Sequence, residues 1–81
     1  MGAVYEVDAA VLVGGEAEDV RFRARIEVFH TRAHGATAEI DGGLVAWSGS
    51  AWVDPAELGV SGKDGERALD LLCEAALEEG Y

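Results

Sequence analysis

The chain has 81 residues, of which 49% are hydrophobic, and its 16 acidic and 6 basic residues give a formal net charge of −10. This length suits one domain with a modest core, and the hydrophobic content excludes a disordered chain. The acidic excess argues against direct binding to nucleic acid or to an anionic membrane, because both need cationic side chains, but it permits a basic protein partner.

Cysteine content and hydropathy limit the cellular compartments in which the chain is expected to function. Cys73 is the single cysteine of the chain, so a secreted fold held together by disulfides is disfavoured. No apolar run reaches the length of a membrane span, and residues 1–8 lack the basic region and apolar stretch of a signal peptide. We therefore expect a single domain over residues 1–81 in a reducing cytoplasm.

Alternating apolar residues near the N-terminus predict a β-hairpin. Every second residue is apolar in the stretches 4–13 and 20–30, which is the period of a strand with one buried face. Residues 14–19 begin with two glycines, so they are predicted to form an acidic turn between the two strands. The acids of this predicted turn are Glu16, Glu18 and Asp19.

A symmetric turn predicts the register of this hairpin. It places Val7 opposite Ile26 on the core face and Asp8 opposite Arg25 on the outer face. Opposite charges across two strands each contribute up to about 1 kcal/mol. The arginines of the second strand are therefore expected to pair with carboxylates of the sheet, and not to form a nucleic-acid-binding patch.

A third strand at about 36–48 and a short fourth strand at about 51–53 complete the predicted sheet. The third strand contains Gly42-Gly43 near its middle, which we interpret as a bulge, with a separate turn as the alternative. Asp54-Pro55 ends the fourth strand, since proline has no N–H to donate to a strand ladder.

The last part of the chain is predicted to form one helix over about 63–79. Apolar residues recur there at spacings of three and four, and either Ser61 or Asp64 can cap the start. The expected fold is therefore α+β, an antiparallel β-meander of three to four strands with this C-terminal α-helix packed on its apolar face. The apolar side of the helix comprises Leu69, Leu72, Cys73, Ala76 and Leu77.

Four carboxylates recur at every fourth residue of the predicted helix, and we call them the acidic stripe. Residues at this spacing are neighbours on one helix face, where each like-charged pair costs about 0.2–0.5 kcal/mol. One interpretation is a solvated face that keeps the protein soluble. The other is a surface that docks onto lysines and arginines of a partner protein. The acidic stripe consists of Glu66, Asp70, Glu74 and Glu78.

Two tryptophans flank a short turn after the third strand. Core packing is the expected role of both Trp47 and Trp52. A tryptophan that stays exposed beside acids is suited to anchor an interface, and Trp52 is the candidate for that role. The predicted partner-binding residues are thus the acidic stripe, the turn acids Glu16, Glu18 and Asp19, and Trp52.

No arrangement in the sequence predicts catalysis, a metal or a cofactor. His30 and His34 lie four residues apart, but they span a strand end and a loop, and no third ligand is near them. Cys73 falls among acids that raise the pKa of a thiol, which disfavours a nucleophile. The glycines match no phosphate-binding loop. We therefore expect a protein that is not an enzyme.

In its size, its acidic excess and its strand-rich body with one helix, the chain resembles the anti-CRISPR inhibitors of phages and other mobile elements. The residues that carry the resemblance are the acidic stripe and Glu16, Glu18 and Asp19. Several proteins of that group occupy the basic nucleic-acid channel of a CRISPR surveillance complex. The resemblance implies an inhibitor in the cytoplasm of a bacterial host that binds a subunit of a type I complex and blocks its binding to target DNA. The alternative is a phage assembly protein that associates with itself through a sheet edge or the tryptophans.

Overall fold

The computed structural model describes residues 2–33 and 35–79, and it contains one antiparallel sheet and one long helix. The elements are β1 Gly2–Val13, β2 Glu16–Thr31, β3 Gly35–Trp47, β4 Trp52–Val53, a 3-10 helix Pro55–Leu58 and α1 Gly62–Glu79. The sheet is curled, and its strands lie in the order β1-β2-β3-β4. Because α1 packs against β1, β2 and β3, the expected α+β meander with a C-terminal helix is confirmed.

The first hairpin turns more tightly than its sequence indicates. The turn consists of Gly14 and Gly15 alone, with φ angles of 58° and 88°, and β2 already begins at Glu16. Two glycines in the left-handed region make a turn whose twist matches that of the flanking strands, so pairing continues right up to it. The predicted acidic turn over 14–19 is therefore wrong, and its three acids belong to a strand.

The tight turn also changes the register of the hairpin. Val7 lies opposite Phe22 instead of Ile26, and Asp8 lies opposite Arg21 instead of Arg25. Each partner has moved by four residues, an even number, so every side chain keeps the face that the alternation predicts. The division into a core face and an outer face was predicted correctly, whereas the pairs across the strands were not.

The two glycines in the middle of β3 form a bulge, as predicted, and not a separate turn. Arg23 pairs with Val45 while Arg25 pairs with Asp41. Residues 42–44 of β3 therefore lie opposite the single β2 residue Ala24. Gly42 has a φ of 95°, a conformation that other residues rarely adopt. A bulge bends its strand and increases the local twist, which is consistent with the curl of the sheet around α1.

The core lies between the inner face of the curled sheet and one side of α1. The helix contributes its small residues Ala68 and Ala76 on either side of Leu72, which lets its backbone come close to the strands. Cys73 and Leu69, predicted on the apolar side, are only partly buried. The buried hydrophobic residues are Ala9, Val11, Val20, Phe22, Ala24, Ile26, Ala46, Val60, Ala68, Leu72 and Ala76.

After β4 the chain returns to the outer edge of β1 before the helix begins. Val60 forms an isolated antiparallel bridge with Val13, and α1 starts two residues later. The Ser61 hydroxyl accepts a hydrogen bond from the Asp64 N–H at 3.3 Å, so Ser61 is the cap. The Asp64 carboxylate instead accepts the Leu12 N–H at 3.1 Å, which ties the start of the helix to β1.

Candidate protein-docking surface

The acidic stripe lies on the solvent side of α1. All four of its carboxylates are exposed, while Ala68, Leu72 and Ala76 hold the opposite side against the sheet. The ion pairs found within residues 2–33 and 35–79 are Arg21 with Asp8 and Arg67 with Asp64, and neither uses a residue of the acidic stripe. The stripe is thus an anionic surface whose four carboxylates form no ion pair within the described part of the chain.

The other predicted acids lie apart from the acidic stripe. Glu16 and Glu18 face the same side of the hairpin as their partners Val13 and Val11, whereas Asp19 lies on the outer face opposite Ala10. All three predicted acids are exposed. Glu18 and Asp19 line an open concavity of about 470 Å³ that is also lined by Trp47 and by no residue of the acidic stripe. The structure therefore does not bring the predicted partner-binding residues together on one surface.

The tryptophans are not part of the core, which corrects the expected role of both. Trp47 and Trp52 pair across β3 and β4, and their rings meet edge to face with centroids 5.3 Å apart. Since the neighbouring Ala46 points into the core, the two rings lie on the outer face of the sheet. Trp47 is 41% exposed and Trp52 is half-buried, so Trp47 offers more free surface than the predicted anchor.

Of the β2 arginines expected to pair with carboxylates, Arg21 forms an ion pair and Arg23 lies over an aromatic ring, both on the outer face of the sheet. The Arg21 guanidinium bonds to the Asp8 carboxylate at 3.0 Å, and this hydrogen bond lowers the pKa of Asp8. The Arg23 guanidinium lies 5.3 Å from the centroid of the Trp52 ring, within the range of a cation–π contact. Arg21 and Arg23 are thus engaged on the face opposite α1.

The surroundings of Cys73 in the structure disfavour a reactive thiol. The Cys73 thiol lies 4.0 Å from the Ala38 carbonyl oxygen, and burial, with a further contribution from Asp70, raises its pKa. A protonated thiol is a poor nucleophile. Within the described ranges 2–33 and 35–79, no three potential metal ligands cluster, and His34 lies outside those ranges.

Two contacts that the sequence does not reveal hold α1 against the edge of β1. The Arg67 guanidinium donates to the Ala10 carbonyl oxygen, beside the bond from Leu12 to Asp64. Asp64 lies in the first turn of the helix, where a carboxylate is favourable on its own account, and Arg67 follows three residues later, so neither position alone indicates a contact with β1. Their role as partners of a strand edge depends on how the helix lies across the sheet, which the helix sequence alone does not specify.

Fold and surface together define a small α+β protein with a curled antiparallel sheet and an acidic outer helix. A scan against protein-family models gave no match, and searches of curated proteins and of solved structures returned no significant similarity. Among the described residues, no helix is both long and apolar enough to cross a membrane.

Proposed function

We propose that this chain is a non-enzymatic inhibitor whose acidic stripe binds a basic surface of a nucleic-acid-binding protein complex. The observation that carries the proposal is that the stripe has no cationic partner among the described residues. Repulsion between neighbouring carboxylates of the stripe destabilises the helix by on the order of 1 kcal/mol in total. A docked row of lysines and arginines would remove that repulsion and replace it with attraction.

The distribution of the basic residues supports the same proposal. Arg21, Arg23 and Arg25 lie on the outer face of the sheet, away from the outer side of α1. The anionic field of the stripe is therefore not offset by the arginines of β2, and the chain as a whole carries a net charge of −10. Such a field speeds association with a cationic surface and weakens as salt increases.

The proposed target is a type I CRISPR surveillance complex in the cytoplasm of a bacterial host, and the proposed effect is exclusion of target DNA. The test mixes the protein with the purified complex and measures binding of labelled target DNA by fluorescence anisotropy at low salt. We expect DNA binding to fall as the protein is added, and the protein to migrate with the complex. Unchanged DNA binding without co-migration would remove the proposal.

A pair of matched variants separates the acidic stripe from net charge. Asp70→Lys with Glu74→Lys reverses two charges of the stripe, while Glu39→Lys with Glu57→Lys makes the same change in net charge at exposed sites outside α1. We expect the first variant to lose inhibition and the second to retain most of it. Equal loss in both variants would mean that any polyanion suffices, and the stripe would have no special role.

Self-association as an assembly protein is the second candidate, and one observation favours it. Within residues 2–33 and 35–79, the exposed large hydrophobic residues lie on the outer face of the sheet. An exposed apolar face of this kind can bury itself against another copy. Light scattering over a range of protein concentrations separates the two candidates, because a stable ring or filament favours assembly and a monomer favours inhibition. The exposed hydrophobic residues that this second candidate depends on are Val4, Leu12, Phe29 and Trp47.

A further inference from the structure

The first observation concerns which backbone groups of β1 point away from β2. The residues flanking a two-residue hairpin turn bond to each other, and bonding then alternates along the strands. Val13 therefore bonds to β2, and so do the odd-numbered residues before it, while the N–H and C=O of even-numbered residues face the free edge. The bonds from Leu12 to Asp64 and from Arg67 to Ala10 agree with this alternation.

Only the C-terminal half of this edge is closed. Asp64, Arg67 and Val60 cover it from Ala10 to Val13. Further towards the N-terminus, no hydrogen bond within the described ranges reaches the edge-facing groups of Val4, Glu6 and Asp8. The register of β1 with β2 is unbroken over this stretch. These groups thus form a regular, open strand edge, which is a template for a further strand.

The opposite edge of the sheet is less suited to an added strand. β4 covers only the last two residues of β3, but the free part of β3 is interrupted by the bulge at Gly42. The Cys73 thiol also lies against the Ala38 carbonyl oxygen there. A bulge twists an edge away from regular pairing. The β1 edge is therefore the better candidate.

The charges that flank the open edge select a basic occupant. Because Asp64 meets Leu12 and Arg67 meets Ala10, α1 runs antiparallel to β1. Glu74 and Glu78 follow Arg67 on the same side of α1, about 10 and 16 Å further along. At about 3.3 Å per strand residue, that distance places them level with the open stretch of β1. Acids thus flank the edge on the helix side.

On the outer side of the same edge, the edge strand itself carries two acids, and the arginines of β2 lie one strand further in. Glu6 and Asp8 point to the outer face, where Asp8 is bound to Arg21 and Glu6 lies opposite Arg23. A second copy pairing through its own β1 would bring Glu6 and Asp8 close to their like-charged counterparts, which is unfavourable across strands. Lysines or arginines on both faces of an incoming strand would find carboxylates on each side.

We propose that the β1 edge from Val4 to Asp8 binds an extended, lysine- or arginine-rich segment of a partner protein as a fifth strand of the sheet. The backbone of the segment would bond to the open N–H and C=O groups, and its side chains would meet Glu74 and Glu78 on one side and Glu6 on the other. This proposal rests on the proposed function in that it specifies how a basic partner is held.

The first test uses the full protein and a synthetic lysine–valine heptapeptide with lysines at both odd and even positions, so that both faces of an added strand carry lysine. We expect binding to slow amide hydrogen exchange at Val4, Glu6 and Asp8, measured by NMR. A second peptide has the same sequence, but the backbone amides that would face β1 are N-methylated. It keeps its charge and loses the N–H donors, so it should bind at least about tenfold more weakly. Equal affinity of the two peptides, protection elsewhere, or no binding at low salt would each overturn the proposal.

A variant of the protein gives an independent test. Val4→Pro removes one edge-facing N–H while leaving every carboxylate and every bond to β2 in place. Val4→Ala, the control, keeps the N–H. We expect only the proline variant to lose peptide affinity, and circular dichroism checks that it folds. If it does not fold, the comparison of the two peptides decides alone.

Failure of the edge proposal is distinguishable from failure of the proposed function. Equal peptide binding by the Val4→Pro and Val4→Ala variants would overturn the edge site and leave docking by the acidic stripe intact. Failure of the protein to displace target DNA would remove the proposed function without altering the peptide result.

Discussion

Asp8 shows how a shift in register changes the chemistry of a single residue. Its partner is Arg21, and the hydrogen bond from that guanidinium lowers the pKa of Asp8 below its ordinary value of 3.8. A lowered pKa in the folded state means that the pair stabilises the fold above the ordinary pKa. That stabilisation is lost as the pH falls through the folded-state value.

The Asp8→Asn variant tests this residue-scale account. We expect it to be slightly less stable than the wild type at neutral pH, because both partners are exposed and surface ion pairs contribute little. The difference should disappear well below pH 3.8, where the wild-type carboxyl is also neutral. Urea unfolding at both pH values measures it, and a difference independent of pH would contradict the assigned ion pair.

At the scale of elements, the packing of α1 on the sheet determines stability. Leu72 is fully buried between two alanines that face the strands. Leu72→Ala should lower the free energy of unfolding by about 2–5 kcal/mol, since it removes buried methylenes and leaves a cavity. Leu71→Ala, at a half-buried position, should cost less. Chemical denaturation compares the two, and equal costs would contradict the assigned inner side of the helix.

A second prediction for the elements concerns the pairing of β2 with β3. Glu27 lies directly opposite Glu39 on the outer face of the sheet. Glu39→Lys should raise the free energy of unfolding by roughly 0.2–1 kcal/mol, because a like-charged pair becomes an opposite one. Glu57→Lys, in the 3-10 helix, should have little effect. A loss of stability in the Glu39→Lys variant would contradict the register.

The elements were predictable from sequence to the extent that they depend on local periodicity. The period of two in β1 and β2 and the helical spacing of α1 follow from which side chains are buried. The register was mispredicted, because it depends on whether Gly14-Gly15 closes the turn alone, as a Gly-Gly pair between two strands can. The placement of Trp47 and Trp52 was mispredicted because their large rings suggested burial, whereas their strand phase places them on the outer face.

At the scale of the whole molecule, charge is divided between two faces. On the outer sheet face Arg21 bonds to Asp8 and Arg23 lies over the Trp52 ring, while the outer side of α1 presents the acidic stripe. The exposure of the stripe could be predicted from helical periodicity. The open edge of β1 could not be predicted, because it depends on how far α1 covers a strand that is distant in sequence.

The most direct test of the central claim is the salt dependence of the dissociation constant between the protein and its proposed target complex. We expect the affinity of the wild type to fall steeply as sodium chloride rises, because screening weakens its ion pairs. The Asp70→Lys with Glu74→Lys variant should bind more weakly with a flatter dependence, and the Glu39→Lys with Glu57→Lys control should stay steep. Equal slopes and affinities for the two variants would show that the outer face of α1 is not the contact surface.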